Sequence, residues 1–370
     1  MADRRQFGAA EALLPSASPV RFLTDGGAPA RRRPDYPEPS PDVLRQAYRH
    51  MVVGRRFDAQ ATALTKQGRL AVYPSSHGQE ACQVAPALVL DEGDWMFPTY
   101  RESVALVTRG IDPVEVLSLL RGDAHCGYDP HLHHVAPQCT PLATQTVHAA
   151  GLAHAEQRKR SGKIALAFIG DGATSEGDFH EALNFAAVFK APVVFFVQNN
   201  QYAISVPLER QSAAPALAYK GVGYGVRSEQ VDGNDPVAVL AVLAAAAEHA
   251  RSGGGPFLIE AHTYRIEAHT NADDATRYRV AAEADRWRKR DPIARLEAYL
   301  RRRGHLTDDD VAAFAREGEE FAARLRTAMN ADPETAPLGL FDNVYDTPTP
   351  VLVEERAQLR SELEAEEATA

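Results

Sequence analysis

The chain has 370 residues, 45% of them hydrophobic and 24% charged, which suffices for one large or two ordinary domains with a sizeable core. A formal charge of −10 and a pI near 5.7 exclude a general grip on nucleic acid, which needs excess Lys and Arg to displace phosphate counterions. No apolar run approaches the roughly 18 residues of a membrane span, and three cysteines, Cys82, Cys126 and Cys139, make a poor disulfide framework and fit a reducing, cytoplasmic setting.

Residues 1–41 carry seven prolines and the run Arg31-Arg32-Arg33, so an extended or disordered arm is expected. Arg4-Arg5 superficially matches a twin-arginine export signal, but Glu11, Pro15 and Pro19 interrupt the apolar core that such a signal needs. Helical patterns then dominate to about residue 121. Pro41-Asp42 opens one, Gln79 to Leu90 makes another, and Asp112-Pro113 starts a third that stops at Gly122. Residues 143–160 read as a helix broken by Ser161-Gly162, and Lys163 to Ile169 is an apolar run of strand length.

A polar turn, Gly170-Asp-Gly-Ala-Thr-Ser-Glu-Gly177, separates that strand from helically spaced Phe179, Ala182, Leu183 and Ala186. Pro192 to Val197 is a second apolar strand, ending at Gln198-Asn-Asn200. Gly221-Val-Gly-Tyr-Gly225 lacks dinucleotide-fingerprint spacing and reads as a turn, which argues against a nicotinamide enzyme. A helix over 236–251 and a strand over 256–263 repeat the pattern. The expectation is an α/β fold, a doubly wound and mostly parallel sheet with helices on both faces and helical extensions at either end. Residues 42–345 are taken as one domain. The tail 346–370, with six Glu against two Arg between Val353 and Ala368, is expected to form a solvated acidic helix.

Two groupings invite a chemical reading. His125, Cys126, His131, His133, His134 and Cys139 form a cluster rich in metal-ligand types, but it fits no paired-ligand pattern for zinc, so a loop at the mouth of a site is expected instead. The second grouping is Gly170-Asp171-Gly172 and Asn199-Asn200, each at the carboxyl end of a strand, where ligands of doubly wound sheets bind. A carboxylate and an amide oxygen side by side are hard donors suited to Mg²⁺, which is often completed by phosphate oxygens, so a metal-held diphosphate is the expected ligand.

Gly170-Asp171-Gly172 with Asn199-Asn200 resembles the signature of thiamine diphosphate enzymes. The blocks Gly170 to Ala187, Asn199 to Ser205 and Pro256 to Ile266 resemble, more narrowly, the α subunit of the decarboxylating component of 2-oxo acid dehydrogenase complexes, over about residues 42–350. The resemblance implies Mg²⁺ held by the side chains of Asp171 and Asn200 and the backbone carbonyl of Tyr202. Gly172 and Ala173 belong to the same cofactor-binding turn. Tyr100 and Arg101 match residues that reach the diphosphate, a guanidinium fork being a suitable donor. Thr140 and Leu142 match the segment on the aminopyrimidine, and Thr144 and Gln145 match side chains that bind a structural potassium ion in branched-chain relatives. His269 matches the active-site histidine beside the thiazolium ring. Thr270 stands where animal relatives carry an inhibitory phosphoserine, and nothing in the sequence supplies a kinase.

Two positions depart from the pattern. Cys139 replaces a serine ahead of Thr140-Pro141-Leu142, so a potassium contact there would fall to a carbonyl. Gln198 replaces an arginine that adds a diphosphate contact in some branched-chain enzymes, which shifts the expected grip toward Mg²⁺ and Arg101. The resemblance implies oxidative decarboxylation of a 2-oxo acid with transfer of the acyl group to a lipoyl arm on an acyltransferase. The blocks 139–145, 184–187 and 256–266 favour the branched-chain (3-methyl-2-oxobutanoate) type, with pyruvate as the alternative and an inactive cofactor-binding scaffold as a weaker one. Because the cofactor normally lies between two domains and only one signature is present, a separate β subunit in an α₂β₂ heterotetramer is expected.

Overall fold

A computed structural model describes residues 11–30, 35–123, 125–331 and 336–369. The chain divides into two compact units, Met1–Arg326 and Thr327–Ala370. In the first, α1 (Pro41–Lys66) opens on a proline behind Ser40, whose hydroxyl accepts from Val43 N–H. Then come α2 (Glu80–Val89), β1 (Trp95–Phe97), α3 (Ser103–Thr108) and α4 (Pro113–Arg121). Asp112 caps α4 at one end, and Gly122, at φ 105°, closes it at the other. A short α5 (Pro130–His133) precedes α6 (Thr144–Lys159), β2 (Ala165–Gly170), α7 (Gly177–Phe189) and β3 (Val193–Asn199). The small hairpin β4 (Tyr202–Ala203) and β5 (Val206–Pro207) leads to α8 (Tyr219–Val222), β6 (Arg227–Asp232), α9 (Pro236–His249) and β7 (Phe257–His262). Three helices follow, α10 (Ala281–Arg288), α11 (Pro292–Arg302) and α12 (Asp308–Asn330), the last of which crosses the boundary at Arg326.

The main sheet is wholly parallel, in the order β1-β2-β3-β7-β6. Its register aligns the polar strand ends: Gly170 pairs with Gln198, and His262 lies between Asn199 and Asp232. Successive residues of β2 and β3 point to opposite faces, and both faces are covered, as their unbroken apolar runs require. Ala165, Ala167 and Ile169 with Val193, Phe195 and Val197 join one core with Ala149, Ala150 and Ala153 of α6 and Phe179, Leu183 and Ala186 of α7. On the other face Phe168 and Phe196 meet edge to face, and α9, apolar on nearly every side, packs along β3, β6 and β7.

Both edges of this sheet are covered by irregular chain, which removes the exposed ladder groups that invite aggregation. Along β1, Met96 N–H donates to His134 O, Ala136 N–H to Met96 O, and Cys139 N–H to Pro98 O. The cysteine- and histidine-rich stretch is therefore edge cover, and only its end, Cys139 and Thr140, reaches the cavity described below. Along β6 lies the amino-terminal segment. Val20 bridges Val231, and Asp235 Oδ2 accepts from Phe22 and Leu23 N–H at 2.7 and 2.6 Å. Val20, Phe22 and Leu23 are buried. Residues 19–23 thus differ from the expected free arm; the cause is a set of partners more than 200 residues away. Arg31-Arg32-Arg33 lies outside the described residues, as does Arg4-Arg5.

The second unit contains α13 (Pro350–Thr369), a helix with no buried residue, and an ion pair between Arg356 and Asp342 at 2.7 Å.

Candidate active site

The carboxyl ends of β2 and β3 open into a cavity of about 440 Å³, a size that suits a small-molecule ligand. Its lining brings together nearly all the residues singled out in the sequence: Tyr100, Arg101, Thr140, Leu142, Gln145, Asp171, Gly172, Ala173, Asn200, Tyr202 and His269. Thr144 is not among them, and its hydroxyl instead donates to Asp178 Oδ2 at 3.3 Å. Gln145 donates to Phe168 O at 2.7 Å, and its buried Oε1 has no partner among the described residues.

The turn after β2 starts the site. A Cβ at Gly172 would fall 2.6 Å from that of Ala203, so glycine lets the turn sit against the β4–β5 hairpin. That contact brings Asp171 beside Asn200 and Tyr202. One end of the Asn200 amide lies 3.0 Å from Tyr202 O and 3.3 Å from Asp171 Oδ1. With nitrogen at that end, the amide donates to both. With oxygen there, three oxygens converge with no proton between them, an arrangement that a cation stabilises. Asp171 is 1% exposed, and burial holds its carboxyl above the ordinary carboxylate range, opposed chiefly by Gln211 Nε2, which donates to Oδ2 at 3.1 Å. A carboxylate, an amide and a backbone carbonyl form a hard-oxygen donor set, so these residues fit Mg²⁺. Asn199 faces away, donating to Glu260 at 2.7 Å.

Across the cavity two guanidinium groups converge on His269. Arg101 Nη2 lies 3.2 Å and Arg265 Nη1 3.1 Å from His269 Nδ1. Guanidinium nitrogens only donate, so Nδ1 accepts and the proton of the neutral ring is assigned to Nε2. Burial, then Arg101 and Arg265, push the His269 pKa down to about 4, so the ring is neutral at pH 7. Asp273 accepts from His269 N–H at 2.8 Å and from the Tyr278 hydroxyl, which in turn accepts from Arg265 at 3.0 Å. Arg265 is 1% exposed, and burial followed by the charge of Arg101 lowers its pKa. Two like charges meeting in a buried cavity favour a bound anion, and a diphosphate matches that demand.

Gln198 lines the cavity but donates to Glu102 at 2.7 Å, where Gln83 also binds it. Three non-glycine residues beside the cavity have left-handed backbones: Ala143 (φ 64°), Gln201 (φ 77°) and Ile204 (φ 54°). For a β-branched residue such as Ile204 this conformation is strained, and its carbonyl accepts from Arg265 at 2.8 Å. Arg265, Gln211 and Gln79 were not singled out in the sequence. Arg265 lies inside the block 256–266, and its spacing of four from His269 was the available signal; the two glutamines carried none.

Elsewhere the histidine-rich stretch is locally satisfied. His131 and His134 pack edge-on against Trp95, His133 against Tyr128, and His125 Nδ1 accepts from Gly127 N–H. Among the described residues, no three His, Cys, Asp or Glu side chains are placed to share a metal ion, and no helix is long and apolar enough to cross a membrane. Gly221 allows α8 to approach Ser228 and Leu258, where a Cβ would lie 2.3 and 2.9 Å away.

Residues 48–333 match the model of the family described as "Dehydrogenase E1 component". The chain is 46% identical over 348 residues to the 3-methyl-2-oxobutanoate dehydrogenase subunit alpha of Mycobacterium tuberculosis, covering 93% of this chain and 94% of that protein. It is 35% identical to the pyruvate dehydrogenase E1 component subunit alpha of Bacillus subtilis, covering 89% of each chain, and 38% identical to that of Bacillus cereus, covering 84% of each.

Proposed function

The chain belongs to the dehydrogenase E1 component family, and from that membership we propose that it is the α subunit of a thiamine diphosphate-dependent 2-oxo acid dehydrogenase for branched-chain substrates such as 3-methyl-2-oxobutanoate. The observation that carries this reading is the meeting of the Asp171, Asn200 and Tyr202 oxygens with Arg101, Arg265 and His269 around one cavity. The higher identity to the relative named for 3-methyl-2-oxobutanoate favours that substrate over pyruvate.

When bound, thiamine diphosphate supplies a nucleophilic thiazolium carbon that adds to the keto carbon and takes up the electron pair released with carbon dioxide. Asp171, Asn200 and the Tyr202 carbonyl hold Mg²⁺, which fixes the diphosphate. Arg101, with Tyr100 beneath its guanidinium, balances the diphosphate charge. Thr140, Leu142, Gly172, Ala173 and Ile204 wall the remainder. His269, kept neutral and presented as an Nε2–H donor, stabilises negative charge on a reacting oxygen or sulfur without itself being a cation. Gln145 and Thr144 are the proposed place of a potassium ion, with the unpartnered Gln145 Oε1 as the supporting feature.

At the cavity, Leu142 is 44% and Ile204 55% exposed, apolar surface that suits a covering partner. A β subunit in an α₂β₂ assembly is that partner, and the lipoyl arm of an acyltransferase component receives the acyl group. Three free cysteines suit a cytoplasmic location. The test is kcat/KM for 3-methyl-2-oxobutanoate and pyruvate in the reconstituted complex. A preference for the branched substrate is expected; a clear preference for pyruvate overturns the assignment.

A further inference from the structure

Gln79 immediately precedes α2, is completely buried and lines the cavity. Its Oε1 accepts from Asn200 Nδ2 at 3.4 Å, while its Nε2 has no partner among the described residues. The two amides form a short relay with two polarities. In one, Gln79 receives the Asn200 N–H and leaves Asn200 Oδ1 toward Asp171 Oδ1 and Tyr202 O. In the other the Asn200 amide turns and its Nδ2 donates to those same two oxygens, putting protons where a cation would bind; Gln79 must then turn as well to meet Asn200 Oδ1 with an N–H. Only the first polarity gives three oxygens to a cation, and it leaves both N–H donors of Gln79 free, whereas the second commits one of them to Asn200 Oδ1. A buried N–H without an acceptor is costly, and a phosphate oxygen is a strong acceptor.

We propose that Gln79 sets the polarity of the metal site, holding the Asn200 amide with its oxygen inward, and offers its own Nε2–H to a phosphate oxygen of the bound diphosphate. The inference rests on the reading of this cavity as a metal and diphosphate site. Cation and anion are thereby coupled through one side chain: Mg²⁺ selects the relay polarity that frees the donor for the diphosphate, and the diphosphate in turn favours the polarity that binds Mg²⁺.

The test uses the enzyme assembled with its β subunit, Mn²⁺ as a paramagnetic probe and thiamine diphosphate by calorimetry, on Gln79→Met, Gln79→Glu and Asp171→Ala. Gln79→Met, which removes both halves of the relay, is expected to weaken Mn²⁺ and thiamine diphosphate each by about tenfold. Gln79→Glu keeps an acceptor for Asn200 but replaces the donor with a negative charge. It is expected to bind Mn²⁺ alone as tightly as wild type or more tightly, yet thiamine diphosphate at least about tenfold more weakly. A residue that merely filled space would not give these opposite signs. Unliganded thermal midpoints identify a variant that does not fold, and the isosteric Gln79→Glu carries the test if the methionine variant fails. Wild-type affinities in the Gln79 variants, with binding lost in Asp171→Ala, overturn the proposal. Wild-type binding in Asp171→Ala overturns the reading of the cavity itself.

Discussion

Asp171 and Asp232 both stand at the carboxyl edge of the sheet and both are 1% exposed, yet their ionisation moves in opposite directions. Burial pushes each carboxyl up. Around Asp232 that effect is outweighed by Arg295, Arg290 and Arg21, at 3.2, 3.1 and 2.9 Å, which hold it below the ordinary carboxylate range. Around Asp171 the neighbours are amides, with Arg265 contributing least of the named causes, and burial prevails. Burial of charge therefore does not mark a functional site by itself. The difference lies in the neighbours: Arg21, Arg290 and Arg295 surround Asp232 and make it part of the clamp that holds the amino-terminal segment against β6, whereas Asp171 faces a cavity and is met chiefly by amides.

Function and stability should separate along this division. The largest effect is expected from Asp232→Ala, which leaves fully buried Arg295 without its main partner and should cost about 3–5 kcal/mol in urea unfolding. The kcat/KM of the folded enzyme should be preserved; loss of activity at unchanged stability would erase the distinction. His269→Ala should do the reverse, lowering kcat by about 10²-fold or more while unfolding free energy changes by less than about 1 kcal/mol.

The acid side gives a smaller, graded effect. As pH falls through 6.5 the unfolded chain protonates this histidine, whereas the folded one resists until about 4. The group therefore subtracts stability progressively between pH 6.5 and 4 and contributes nothing above 7. Following the His269 ring by NMR should give a midpoint near 4; one near 6.5 would show that burial, Arg101 and Arg265 together do not enforce neutrality. The smallest effect belongs to Asp171→Asn without ligands, where a neutral amide avoids the desolvation of the carboxylate. Its thermal midpoint should equal or exceed that of wild type, and a marked fall would make Asp171 a structural residue like Asp232.

Much of this site was legible because its anchors follow apolar strands with plain boundaries. Lys163 to Ile169 and Pro192 to Val197 announce buried strands, and the turn at Gly170 and the amides at Asn199-Asn200 lie at their ends. β6 was not legible. Ser228, Glu229, Gln230 and Asp232 carry no apolar strand pattern, yet they are buried because Leu13 O, Ser16, Tyr36 and Arg295 pair with them from distant parts of the chain. β1, three residues long, is too short for its periodicity to register. Arg265 and Gln79 escaped for a related reason: each owes its role to what it touches across the fold, His269 in one case and Asn200 in the other. The histidines of residues 125–134 show the converse, a composition suggestive of metal binding whose members are satisfied one at a time by Trp95, Tyr128 and Gly127.

On the proposed reading, the buried carboxylate of Asp171 holds a divalent cation that fixes a diphosphate. Calorimetric titration of thiamine diphosphate into the assembled enzyme, with and without Mg²⁺, for wild type and Asp171→Asn, tests it most directly. Mg²⁺-dependent binding by wild type and at least about hundredfold weaker binding by the variant are expected. Equal affinity in the two proteins, or wild-type binding indifferent to Mg²⁺, would contradict it.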